Sequence, residues 1–375
     1  MTRLELTLWS SALAVVVLVI AVVAVQSLHR RRTAPQEVPV PEPAPEPTPA
    51  APAPREPLAA VVVNPSKFED VGPLRAAATR VCADLGWAEP LWLETTAEDP
   101  GVGQTKEALD AGADVVVACG GDGTVRCVGE ALAGTGTPMG LAPAGTGNLL
   151  ARNLDVVTPR GAELSPDDVD AAMRVALTGQ DRPVDVGWIT VVGPGGDEHT
   201  APDEQAFLVM AGMGFDAAIM ANAPEALKAR VGPIAYVVSG LQQLKGKRAR
   251  VTIDVDGARH ERRVRTVVVG NVGKLQGGLA LLPDAEVDDG RLDVVAIGPR
   301  NLAEWAGVTG RVLTGRGRGA DRIHHWSGKG IALRADTPQP AQLDGDPVGD
   351  AVELRMRVDE HALLVRVAPG VGAKP

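Results

Sequence analysis

An α/β domain followed by a mainly antiparallel, β-rich domain, with a transmembrane helix ahead of both, is the fold this sequence predicts. Short β-branched runs alternate with helix-length segments from residue 58 onward, the pattern of a largely parallel sheet with connecting helices. Beyond residue 185 short strands separated by turn signals dominate. Ahead of both, Leu8 to Leu28 gives 21 residues without a formal charge. At about 1.5 Å per helical residue such a run spans a hydrocarbon core roughly 30 Å thick.

In chain order, the apolar run at 8–28 reads as the membrane helix, and His29 is followed by Arg30, Arg31 and Arg32. That basic flank predicts a single-pass protein of the cell membrane with the long C-terminal body in the cytoplasm. A cleaved signal peptide is the competing reading, because small residues lie near Ala24. Residues 33–57 hold ten prolines in 25 positions, which predicts an extended spacer. A net charge of −10 gives no support to a nucleic-acid binder. Cys82, Cys119 and Cys127 show no CxxC spacing and read as small buried residues.

The first folded domain is expected over 58–185. Leu58 to Asn64, Leu91 to Thr95, Val115 to Ala118 and Met139 to Ala142 read as strands, and 72–85, 101–109 and 124–133 as helices. Two glycine loops follow strands: CGGDGT at 119–124 and PAGTGN at 143–148. Ligands of parallel sheets gather at the carboxyl ends of strands. Gly120, Gly121, Gly123 and Gly145 let the backbone approach a ligand, and N–H groups at a following helix start receive phosphate oxygens, which makes a nucleotide the expected occupant. Asp122 is suited to holding a divalent cation beside those oxygens. Thr124 and Thr146 sit in the loops; Thr95 follows a strand and is equally a nucleotide contact or a turn residue. Asn148 suits a bond to phosphate or to backbone, with a helix cap as its structural alternative. The chain lacks both G-x-x-x-x-G-K-[ST] and a spaced GxGxxG.

The second domain is expected over 186–335, with an acidic turn and C-terminal return segment over 336–375. Ser165-Pro166 with Asp168 predicts a helix start. Strands are expected at 185–192, 205–210, 251–256, 265–269, 324–333, 352–356 and 363–367, a loop at 211–216, a hairpin turn at Asp256-Gly257, and a surface helix at 301–313. Basic residues cluster between Lys245 and Arg265, suiting phospholipid heads or a solvated sheet edge. Asp284, Asp288, Asp289 and Asp293 concentrate carboxylates around a turn, compatible with magnesium or with a charged turn alone.

These marks together resemble the diacylglycerol kinase catalytic-domain family of bacterial lipid kinases, related to sphingosine kinases. They are Asn64-Pro65, GGDGT from Gly120, PAGTGNLLARNL from Pro143, AGMGFDA from Ala211, LLPDAEVDDGRLDVV from Leu281 and LDGD from Leu343. The resemblance implies a two-domain lipid-kinase fold and ATP- and Mg2+-dependent phosphorylation of a lipid hydroxyl. Diacylglycerol is the first expected acceptor; ceramide-like or sphingoid-base substrates, and an impaired membrane-tethered nucleotide-binding regulator, are the alternatives. It implies a structural magnesium held by the backbone of Glu286, the side chain of Asp289 and the backbone of Arg291. It also implies that the acidic turn meets the phosphate across the cleft, with Asp346 in the place of the glutamate of the usual DGE pattern and hence the proton acceptor. Asp344 is the alternative acid. The expected partners are a membrane lipid acceptor and magnesium-ATP, with no nucleic acid; a homodimer has no sequence feature to specify it.

Overall fold

A computed structural model of the chain describes residues 55–156, 158, 164–195, 204–214, 248–274, 281–298 and 323–370. Among them no helix is long and apolar enough to cross a membrane. The expectation of a single-pass membrane protein with a cytoplasmic body is corrected on that finding. The run at 8–28 on which it rested lies outside the described residues, as do most of the proline-rich stretch, Asp216 and the helix expected at 301–313.

The nucleotide-domain alternation is present. Strands β1 (Ala59–Val63), β2 (Leu91–Glu94), β3 (Val115–Gly120) and β4 (Met139–Pro143) form a parallel sheet in the order β2-β1-β3-β4. Every residue of β1, β3 and β4 is buried, as β-branched and small strands covered on both faces should be. Helices α1 (Gly72–Asp84) and α5 (Pro166–Thr178) cover one face through Leu74, Ala78, Val81, Met173 and Leu177. On the other face α2 (Val102–Asp110), α3 (Asp122–Leu132) and the short α4 (Leu149–Asn153) contribute Ala108, Val125, Val128, Leu132 and Leu150. α5 starts as expected: Ser165 and Asp168 form a reciprocal capping box with Pro166 at the first helical position.

The second half is antiparallel. β5 (Gln180–Val192), β6 (Gln205–Phe207), β7 (Met210–Met213), β8 (Ala249–Val255), β9 (Ala258–Val264), β10 (Thr266–Gly270), β11 (Leu292–Ile297), β12 (Ile323–Gly328), β13 (Gly330–Leu343) and β14 (Asp346–Val367) complete a sheet of fourteen strands among the described residues. Its apolar core gathers Ile189, Phe207, Ile253, Val267, Val294, Leu333 and Leu354. β14 joins the halves. Along one edge it pairs with β5 from Glu353↔Val192 to Val367↔Gln180; along the other it pairs antiparallel with β13 and then, at Val365↔Met139, parallel with β4.

Several expected boundaries move. Residues 211–213, expected as loop, form β7, whose glycine lies so close to β10 that a Cβ on Gly212 would meet the Val267 carbonyl oxygen at 2.3 Å. The segments at 352–356 and 363–367 are parts of one strand, because a bulge at Asp359/Leu363 with left-handed His361 (φ 54°) carries the polar stretch between them past β5. The domain boundary expected after Asp185 falls inside β5.

Candidate active site

The glycine loops sit side by side at the carboxyl ends of β3 and β4. Ala144 N–H donates to the Gly120 carbonyl at 2.7 Å, and a Cβ on Gly145 would lie 2.8 Å from the Gly121 α-carbon. No side chain fits there, so the loops touch backbone to backbone. Asp122 then locks them. Its two carboxylate oxygens accept the Asn148 N–H at 2.9 Å and the Leu149 N–H at 2.7 Å, which are donors at the start of α4. Burial raises its pKa, those N–H groups oppose the rise, and the Asp346 carboxylate adds to it.

Asn148 is buried and left-handed (φ 47°), a conformation asparagine tolerates better than most residues. Its amide bonds both backbone groups of Gly145: the oxygen accepts the Gly145 N–H at 2.8 Å and the nitrogen donates to the Gly145 carbonyl at 2.8 Å. It makes no side-chain helix cap. Of the phosphate or backbone partners that the sequence suggested, the side chain takes backbone here and closes the PAGTGN loop into a ring. Arg152 braces the same loop by donating to the Gly147 carbonyl at 2.8 Å, a role no sequence signal marked. Thr146 is exposed, and Thr124 is buried with its hydroxyl 3.5 Å from the Asn64 amide. Thr95 is buried at the end of β2, its N–H donating to Val63, while the neighbouring Thr96 hydroxyl accepts from Asp99 as a turn residue.

Across from these loops lies the β13–β14 turn, and its two acids part company. Asp344 is buried with φ 46°; its oxygens accept the N–H groups of Leu208 (2.9 Å), Val209 (2.9 Å) and Met210 (2.8 Å). Burial pushes its pKa up to about 6 against the pull of those three donors. Both oxygens are therefore engaged with the backbone of residues 208–210. Asp346 is exposed, and a Cβ on Gly123 would stand 3.0 Å from its Oδ2. The turn thus sets one carboxylate directly on the first turn of α3, where the helix N-terminus favours negative charge.

The acids around 284–293 form a separate place. Asp289 accepts the Arg291 N–H at 3.0 Å; its pKa is raised by burial and by the neighbouring carboxylates of Asp185 and Glu286. The Arg291 guanidinium bonds Ser327, leaving its backbone carbonyl as what it can offer a cation. Asp185, fully buried, ties this loop to β14 by accepting the N–H groups of Gly290 (2.6 Å) and His361 (2.7 Å). It went unnoticed in the sequence because all its partners are distant in the chain. Among the described residues no group of three or more His, Cys, Asp or Glu side chains is placed to hold a metal ion. One carboxylate with backbone carbonyls is nevertheless an oxygen donor set of the kind magnesium accepts, and crowded acids beside it would be relieved by a cation.

A parallel-sheet lobe with two backbone-lined loops, faced by an acid carried on a second lobe, defines a phosphotransferase class. The "Diacylglycerol kinase catalytic domain" family matches residues 60–189, and the "YegS C-terminal NAD kinase beta sandwich-like domain" family matches residues 209–367. The "Probable lipid kinase YegS-like" of Cronobacter sakazakii (strain ATCC BAA-894) is 32% identical over 268 residues, covering 70% of this chain and 81% of the relative. The "Diacylglycerol kinase" of Bacillus subtilis (strain 168) is 25% identical over 291 residues, covering 77% and 89%. The fold is shared with the crystal structure of a diacylglycerol kinase from Bacillus anthracis str. Sterne, with a TM-score of 0.61 at 22% identity over 84% of this chain and 98% of that one. The chain belongs to the diacylglycerol kinase catalytic-domain family of YegS-like lipid kinases, and by that membership it is an ATP-dependent lipid kinase.

Proposed function

We propose that the chain transfers the γ-phosphoryl group of ATP to the hydroxyl of diacylglycerol, giving phosphatidic acid and ADP. The observation that carries this is the exposed Asp346 carboxylate set against Gly123 of the GGDGT loop. The Gly120–Gly123 and Gly145–Thr146 backbones would cradle the nucleotide phosphates, with Thr124 at the first loop and Thr95 at the end of β2 as further nucleotide contacts. Asp346 would orient the acceptor hydroxyl and take its proton as the hydroxyl oxygen bonds the γ-phosphorus. The bond from that phosphorus to the bridging oxygen breaks, and the electron pair leaves on ADP. Phosphoryl transfer of this kind depends chiefly on positioning and charge neutralisation.

Magnesium accompanying ATP would supply charge neutralisation on the phosphates, and the lone pairs Asp122 does not use for Asn148 and Leu149 are what it could offer such an ion. The first duty of Asp122 is nonetheless to clamp the loops. A second magnesium held by Asp289 with the carbonyls of Glu286 and Arg291 would brace the 284–293 loop and take no part in the transfer.

The test measures magnesium-dependent ATP turnover against diacylglycerol, ceramide and a sphingoid base, together with nucleotide affinity. Asp346→Asn should keep ATP affinity and lose lipid product, and Asp346→Glu should preserve or raise it by restoring reach. A hydrogen-bond approach of roughly 2.6–3.2 Å, direct or through one water, is what either side chain must achieve. Full turnover in Asp346→Asn with loss in a folded, ATP-binding Asp344→Asn would overturn the assignment.

A further inference from the structure

Arg126 lies one helical turn beyond Gly123 on α3, and both face the β13–β14 turn. Its Nη2 stands 3.8 Å from Asp346 Oδ2, within ion-pair range and beyond a hydrogen bond. The arginine side chain is only 15% exposed, whereas that of Asp346 is 57% exposed. Its Nε is buried and donates to none of the described residues. Its charge also reaches Asp344 and the Cys127 thiol, which lies among the carboxylates of Glu130, Asp346 and Asp99.

As a contribution to the fold this arrangement is poor. An exposed-side ion pair contributes about 0–1 kcal/mol, while an orphaned buried donor costs about 1–3 kcal/mol. A methionine of similar length would fill the same space without an unmet N–H. Unfavourable polar burial beside an exposed carboxylate is a mark of function. The function is suggested by what Arg126 faces. Asp346 is one methylene shorter than the glutamate of the usual DGE pattern, sits on an exposed turn and has no hydrogen-bond donor among the described residues to fix its carboxylate. A mostly buried cation 3.8 Å from it gives that carboxylate its direction.

We propose that Arg126 is a positioning residue for the transfer step: its guanidinium holds the Asp346 carboxylate over the first turn of α3, aimed at the acceptor hydroxyl. This rests on Asp346 being the acid that orients the acceptor.

The test combines Arg126→Gln, Arg126→Lys, Asp346→Asn and the double variant Arg126→Gln/Asp346→Asn, each checked for folding by its thermal midpoint. Lipid-product kcat, ATP affinity and hydrogen exchange of the segment 343–349 are measured. Arg126→Gln should lower kcat by about tenfold or more with ATP affinity within about threefold, Arg126→Lys should recover part of the loss, and exchange of the turn should quicken. In the Asp346→Asn background Arg126→Gln should cost less than about twofold, since residues acting through one another are not additive. Losses that multiply in the double variant, or wild-type kcat and exchange in Arg126→Gln, overturn the proposal. Should Arg126→Gln fail to fold, the same cycle run with Arg126→Lys decides in the same way. A wild-type protein that phosphorylates none of the lipids defeats the functional reading instead, and the exchange of the turn then decides whether Arg126 holds Asp346.

Discussion

Asp344 and Asp346 share a turn, yet left-handed backbone at Asp344 sends its carboxylate inward to three N–H groups while Asp346 stays exposed beside Gly123. The buried acid carries a pH signature. Its native pKa of about 6 exceeds the ordinary value of 3.8, so between those limits the folded chain binds more protons than the unfolded one. Its contribution is therefore fully present below pH 3.8 and is lost as pH rises through about 6, by up to about 3 kcal/mol for a shift of this size. Asp344→Asn keeps one acceptor oxygen and cannot titrate. The stability gap between wild type and Asp344→Asn, followed by thermal melting, should be wider at pH 4.5 than at pH 7.5; a gap that narrows on acidification would refute this account. Sequence alone could not separate the two acids, because the difference lies in partners at Leu208 to Met210, more than 130 positions away.

The strand-loop-helix elements of the nucleotide lobe were legible because each is specified locally: β-branched runs for β1 and β3, glycines for the loops, Ser165 and Asp168 for the start of α5. The antiparallel half was read less completely. β5 begins with Gln180, Asp181, Arg182 and Pro183, a polar run that is a strand only because β14 pairs with it. The loop glycines were assigned to phosphate approach, but Gly145 has an additional constraint in its contact with the Gly121 backbone. An alanine there forces the loops apart by a few tenths of an ångström or more while leaving the sheet beneath untouched. Gly145→Ala should weaken ATP binding by about tenfold, the scale of losing one or two phosphate N–H contacts at about 0.5–1.5 kcal/mol each, and should barely move the thermal midpoint. Unchanged affinity, measured by calorimetry, would mean that the PAGTGN backbone is not a phosphate cradle.

At the scale of the whole molecule, the route by which Asp346 reaches the nucleotide loops is β14. This strand starts at Asp346, borders β13 and β5, and finishes beside β4, so the acid and the sheet that carries the glycine loops are parts of one hydrogen-bonded surface. The apolar core follows the same continuity. Leu363 and Val365 of β14 pack in one cluster with Val116 and Leu132 of the nucleotide lobe and with Val184, Leu208 and Val287 of the other. Lobes with a shared core and a shared sheet should unfold as one unit. Trp92 on β2 and Trp326 on β12 lie at opposite ends of the strand order and report the two lobes separately. In variants whose sole tryptophan is Trp92 or Trp326, the chain's other five being replaced, thermal or urea transitions should coincide. Leu363→Ala, which empties a fully buried site between the lobes, should shift both transitions down together, by about 2–5 kcal/mol of stability. If the Trp92 signal moved and the Trp326 signal did not, the lobes would be independent. The placement of Asp346 over Gly123 would then depend on a hinge instead of on a continuous sheet.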